Sequence, residues 1–227
     1  MNRIFLASAL VSCASFGFAQ RAPKAMPGEA ADPAGRVVRE NRGRAFNLSA
    51  HLASPPLDQM PIDVPGPTIT GHRTLLPELP FSTSDTVVIG TISSYQPYLS
   101  ADRRGVYTEL QVEVSDVIKA PASVIPPSKQ VTLIETGGSV ILDTGRVVSV
   151  KFSDGATLLE AGQKYALFLN YSAAGDYFRP QKAWSLKDGK VWATSPDEVG
   201  PAATGQTPYG GMAESLFVQI LHDSAPR

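Results

Sequence analysis

Ten of the nineteen prolines in this 227-residue chain lie between residues 20 and 80, including Pro55-Pro56 and the run Pro61-Ile62-Asp63-Val64-Pro65-Gly66-Pro67. Each proline removes a backbone donor and pushes the residue before it toward extended geometry. A stretch punctuated this way offers neither a long helix nor a central strand, and residues 20–83 read as a Pro-rich, flexible, disordered linker. Cooperative folding is therefore expected only after it.

From Ser84 the texture changes to short β-branched and aromatic runs separated by Gly, Asp, Pro and Ser, the pattern of an all-β domain. Strands are expected at 86–93, 106–118, 130–135, 139–142, 146–152, 164–171, 177–186 and 190–193. In the second, Val106, Thr108, Leu110, Val112 and Val114 share one face and Tyr107, Glu109, Gln111 and Glu113 the other. The apolar phase slips at Ser115-Asp116, which predicts a bulge. Asp143-Thr144-Gly145, Ala174-Gly175-Asp176 and Asp188-Gly189 spell tight turns that join sequential antiparallel strands. Met212, Leu216, Phe217, Ile220 and Leu221 recur at helical spacing and predict a terminal helix over 211–222 that covers the sheet. The expected fold is a single OB-like or related antiparallel β-barrel with a C-terminal helix, spanning 84–223, close to the commonest domain size.

Met1-Asn2-Arg3, the apolar run Ile4 to Val11 and the small residues ending at Ala19 have the anatomy of a secretory signal peptide over 1–19. Cleavage after Ala19 implies an exported, periplasmic or extracellular protein. The alternative is a lipoprotein anchored through Cys13, since Leu10-Val11-Ser12-Cys13 resembles a lipobox. Cys13 is the only cysteine, so cleavage after Ala19 removes every thiol and excludes a disulfide framework or a thiolate metal site. Beyond the leader, 19 Lys and Arg stand against 21 Asp and Glu, which argues against nucleic acid as a partner. No apolar run reaches the length of a transmembrane helix.

Ser84-Asp85-Thr86-Val87-Val88-Ile89-Gly90-Thr91-Ile92, Val106-Tyr107-Thr108-Glu109 leading to Val114-Ser115-Asp116-Val117-Ile118-Lys119, and Leu159-Glu160-Ala161-Gly162-Gln163-Lys164-Tyr165-Ala166-Leu167-Phe168-Leu169 resemble a group of exported bacterial proteins. Their barrels are similar to the OB-like fold of netrin-type and metalloprotease-inhibitor domains. The resemblance covers residues 84–193 and implies fold more than function. Inhibitors of that fold act through an N-terminal cysteine, which a chain matured to Gln20 does not have.

The loop from Tyr95 to Gly105 joins the first two strands, a connection that helps form the ligand face of OB-type barrels. Tyr95, Tyr98, Arg103 and Arg104 are its candidate ligand-binding residues, because aromatic planes and guanidinium forks suit sugars, peptides and carboxylates. Trp184 and Trp192 read as core. Arg36, Arg39, Arg42 and Arg44 cluster around Glu40 and read as a solvated linker patch, with an anionic envelope surface as the functional alternative. His51, His72 and His222 lack metal-ligand spacing, and neither a metal nor a cofactor is expected. Leu142-Asp143-Thr144-Gly145 resembles the active-site loop of aspartic proteases, in which two such loops share a proton between carboxylates. Bulky Arg146 follows the glycine, and the same residues suit a plain hairpin turn.

These readings converge on a non-enzymatic exported module that binds an envelope or extracellular protein, peptide or glycan. The alternative is a retropepsin-like hydrolase using Asp143-Thr144-Gly145.

Overall fold

A computed structural model describes residues 33–47, 55–60, 68–69, 76–122, 124–126, 128–152, 159–194 and 208–226. The leader, Cys13, His51 and His72 lie outside the described residues. In chain order the elements are α1 (Pro33–Ala45), β1 (Thr68–Ile69), β2 (Thr86–Leu99), β3 (Val106–Lys119), β4 (Gln130–Thr136), β5 (Gly138–Ile141), β6 (Val147–Phe152), β7 (Lys164–Ser172), β8 (Tyr177–Lys187), β9 (Lys190–Ala193) and α2 (Glu214–Ser224). The fold is mainly β, with a large antiparallel sheet and a C-terminal helix, as the strand pattern predicts.

The main sheet runs β4-β3-β2-β7-β8-β9, and a parallel contact between Leu133 of β4 and Phe178 of β8 brings its two sides together. Five strands thus form a ring in the order β2-β3-β4-β8-β7, with β9 added along β8. Closure explains the two kinds of strand pattern. Val88, Ile92, Leu110, Val112, Leu133, Leu167 and Phe178 point inward and make the barrel core. Val87, Ile89, Ala166, Phe168 and Trp184 point outward from the same strands into a second core that α2 caps with Phe217 and Leu221. Strands buried on both faces read as continuous apolar runs rather than alternating ones. Phe217 and Leu221 are fully buried. Removal of each from water stabilises the cap by about 1.5–3 kcal/mol.

The slip at Ser115 is a bulge. Ile89 pairs with Asp116 and Gly90 with Val114, leaving Ser115 unpaired in the ladder, and its hydroxyl donates to the Ile89 carbonyl at 3.1 Å. Two further register shifts, at Val87/Val88 and Ile92/Ser94, add to the bend. A satellite sheet of order β1-β6-β5 pairs the early β1 with the two strands that lie between β4 and β7, and Val140, Leu142, Val148 and Val150 enclose a small core with Val106 and Leu57.

Three expectations need correction. The flexible-linker reading of 20–83 fails at several points. Residues 33–45 are helical, Phe46 and Leu57 are buried, and Leu79 and Phe81 pack into the core under α2. Pro33 causes no conflict because it occupies the first helical position, where its missing donor has no intrahelical partner. Between Pro33 and Pro55 no further proline intervenes. On α2, Leu216 is 49% exposed, because the helix meets the sheet through the narrower pair Phe217 and Leu221 with Val218 beside them. Trp192, read as core, is 46% exposed on the outer strand β9, whereas Trp184 is fully buried as expected.

Candidate functional site

The side of β3 that carries Tyr107 and Glu109 faces outward from the barrel, where α1 lies over it. Arg42 is the anchor of the helix. Its Nε donates to the Gly175 carbonyl at 2.7 Å, its Nη1 to Glu109 Oε2 at 3.1 Å and its Nη2 to the Asp176 carbonyl at 2.5 Å. A guanidinium can serve three acceptors at once because its donors are fixed in a planar fork. Asn41 adds a hydrogen bond from its amide to the Ala174 carbonyl at 2.8 Å, and the Ala101 amide donates to the Gly43 carbonyl at 3.1 Å.

Glu109 is 4% exposed. A carboxylate so buried needs a cation, and α1 supplies two, with Arg39 Nη1 at 3.6 Å from Oε1 in addition to Arg42. That second distance exceeds hydrogen-bond reach, and Glu109 Oε1 and Arg39 Nη1 have no hydrogen-bond partner among the described residues.

Beside this ionic end lies an aromatic end. Phe46 stacks on Tyr107 with centroids 5.1 Å apart and meets Tyr177 at 5.9 Å. Tyr98 also stacks on Tyr107, at 5.6 Å, and the Arg39 guanidinium sits 4.3 Å above Tyr98. Arg179 covers Phe46 at 4.9 Å while donating to the Tyr177 hydroxyl. Burial first, and then the Glu109 carboxylate, push the Tyr107 phenol well above its ordinary value, so it stays neutral. Gly175 lets the β7–β8 turn fit beneath the helix. A Cβ there would stand 2.7 Å from the Tyr177 ring and 3.2 Å from Arg42 Cγ.

The four residues expected to bind ligand from a loop are not brought together, and two of them are not in a loop: β2 runs on from residue 93 to Leu99, because its ladder to β3 continues, and so carries Tyr95 and Tyr98. Tyr98 belongs to this face. Tyr95, three residues earlier on β2, packs against the barrel interior. Arg103, at φ 59, pairs with Asp58 at 3.2 Å, and its carbonyl accepts from the Leu57 amide, so it fastens the 55–60 segment. Arg104 is held through its backbone, whose amide donates to Asp102 Oδ1. The residues that reading missed are Arg39, Arg42, Phe46, Tyr107, Glu109, Tyr177 and Arg179. The arginine cluster and the outward-facing Tyr107 and Glu109 were visible in the sequence, but only the fold puts them in contact. Asp32-Pro33 is the signal that could have located the helix, since an Asp before a helical proline is a common start.

Asp143 lies exposed at the tip of the β5–β6 hairpin. The turn is closed by the Leu142 amide donating to the Arg146 carbonyl and the Gly145 amide to Leu142. A second cleft, about 590 Å³, opens beside α2 between Asp116, Lys164, Glu214 and Val218. Lys164 pairs with Glu214 at 2.6 Å and His222 with Asp116 at 2.9 Å, so its charges mainly fasten α2 to the sheet.

A scan against protein-family models and a search of curated proteins find no match for this chain.

Proposed function

We propose that the chain is a non-enzymatic, exported binding module of OB-like type, whose recognition face is the outer surface of β2, β3, β4 and β8 around Tyr98, Tyr107, Glu109 and Tyr177. The ring order β2-β3-β4-β8-β7 with a parallel β4–β8 contact supports the OB-like reading, because barrels of that type bind ligands on the corresponding strands and flanking loops. The observation that carries the proposal is the buried Glu109 carboxylate set beside stacked tyrosines on an outward face. A buried ion pair is often no more stabilising than apolar groups of the same volume, so its presence favours a face with a role beyond closing the fold. The leader anatomy supports export, with cleavage after Ala19 leaving Gln20 at the N-terminus.

Peptide and glycan arrays probed with the mature protein and with Tyr98→Ala and Arg179→Ala test the reading. Both changes lie at the rim of the face and leave the barrel core untouched. Ligands retained by the parent are expected to lose at least tenfold in affinity for each variant. Ligands indifferent to both changes would overturn the assignment of the face. Mass spectrometry of the exported protein tests maturation, and a diacylated Cys13 would place it on a membrane surface instead.

A further inference from the structure

Resting on that reading, we infer that the face is a receptor for a cationic helical segment of a partner protein bearing Arg-x-x-Arg-x-x-x-aromatic, and that α1 is its resident competitor in the same chain. The occupant already present defines the chemistry. Arg39, Arg42 and Phe46 stand at i, i+3 and i+7, one side of a helical path, and these three side chains make the ionic and aromatic contacts to the face. Among the described residues the rest of α1 adds the Asn41 and Gly43 hydrogen bonds, which go to backbone groups of the flanking loops at Ala174 and Ala101 rather than to the face. Val37 is 58% exposed, and among the described residues Arg44 pairs with Glu40 of the helix itself at 3.4 Å.

The helix is built to be held rather than to hold itself. It has 13 residues and no acidic residue in its first turn. Helices shorter than about 12–15 residues are marginal in water, and this one lacks an apolar stripe to dock by burial. Its attachment rests on the well-bonded Arg42, on Arg39 over Tyr98 and 3.6 Å from Glu109, on Phe46, and on the two hydrogen bonds at Asn41 and Gly43. Elements with few buried apolar contacts open at the low end of the local stability range. Glu109 Oε1, with no hydrogen bond to it, leaves a place where a better-aligned guanidinium gains over Arg39. Tethering raises the effective concentration of α1 to the millimolar range, so a partner must bind more tightly than the isolated α1 sequence or engage a second surface.

The geometry supplies a direct test. A Cβ at Gly43 would lie 3.6 Å from the Ala101 Cβ, within the span of a disulfide. Gly43→Cys with Ala101→Cys, in the full chain carrying Cys13→Ser, gives a strap that is locked when oxidised and free when reduced. The probe is a fluorescein-labelled peptide of residues 33–47, titrated by anisotropy. Saturable binding to the reduced protein is expected, at least tenfold weaker after oxidation. Arg42→Ala or Phe46→Ala in the peptide is expected to weaken it by a similar factor, a control that needs no further change in the protein.

If neutral peptides, acidic peptides or glycans bind the reduced protein, are blocked by the lock, and the cationic peptide is not bound, the partner class is overturned and the recognition face stands. If the lock alters the binding of no peptide or glycan, both fall. Concentration-dependent dimers of the reduced protein that the lock abolishes would identify a second copy's helix as the occupant and overturn a separate partner.

Discussion

Arg42 and Glu109 are 67 residues apart in the chain, yet Nη1 and Oε2 meet at 3.1 Å with side chains only 9% and 5% exposed. Breaking a buried pair by removing one partner is destabilising by about 3–5 kcal/mol when the other charge stays buried. Here Glu109 regains water once α1 lifts, so the loss is limited to the free energy of docking the helix. Arg42→Ala is therefore expected to abolish amide exchange protection across residues 36–45 while protection in β2, β3 and β7 stays within tenfold of the parent. Arg42→Lys should restore little, because an ammonium cannot reach Gly175, Asp176 and Glu109 together. Equal loss of protection in strands and helix would show that α1 is part of the cooperative core.

Removal of the N-terminal region should have a sharp threshold before Phe81. Phe81 meets Phe168 edge to face at 5.2 Å, the Glu78 carbonyl accepts from Trp184 Nε1 at 3.3 Å, and Glu78 pairs with the buried Lys182 at 3.1 Å. A chain beginning at residue 76 is expected to melt cooperatively. One beginning at residue 82 loses the ring of Phe81 from the core, a change of about 3–5 kcal/mol by analogy with Phe→Ala. Calorimetric melts of the two chains decide it, and equal transitions would make residues 76–81 dispensable.

At the β5–β6 hairpin two neighbouring changes should differ in size. Asp143 is exposed, and Asp143→Asn is expected to leave stability within about 0.5 kcal/mol. Gly145 adopts φ +81 with open space where a Cβ would go, so Gly145→Ala suffers backbone strain alone, about 1–2 kcal/mol. Urea denaturation measures both. Casein cleavage at acid pH by the parent, sensitive to pepstatin and lost in Asp143→Asn, would overturn the non-enzymatic reading.

The α1 face should also respond to alkali. Because the folded Tyr107 phenol lies above its unfolded value, its contribution is fully present below the ordinary tyrosine pKa of about 10 and is lost as pH rises through the raised value. Stability is therefore expected to fall above pH 10 more steeply in the parent than in Tyr107→Phe, in which Tyr165 and Tyr171, also raised, still titrate. Urea midpoints at neutral pH and above pH 10 provide the comparison. Parallel curves for parent and variant would show that Tyr107 is not the group responsible.

Much of the barrel was legible because its information is local. Val106 to Val114 alternate with Tyr107 to Glu113 whatever lies nearby, and the phase slip at Ser115 requires a bulge before any partner strand is known. The turn residues at 143–145, 174–176 and 188–189 carry their own conformational preference. The candidate site was legible only in fragments. Tyr95 and Tyr98 lie on one loop-proximal stretch of sequence, but the ladder sends Tyr95 inward and Tyr98 outward beneath Arg39.

By itself, then, the chain's sequence determined most of the strands, their turns and the helix that caps them, since each rests on side-chain period and backbone propensity within a few residues. Tertiary structure alone decided that the ring closes through Leu133 and Phe178 and that Leu57 and Phe81 belong to cores. It also decided that a polar helix from a proline-rich stretch lies on Glu109. No apolar periodicity marks that helix, because what holds it is a charge, the carbonyls of the β7–β8 turn and three aromatic rings contributed by β2, β3 and β8, and such contacts exist only after those strands have paired.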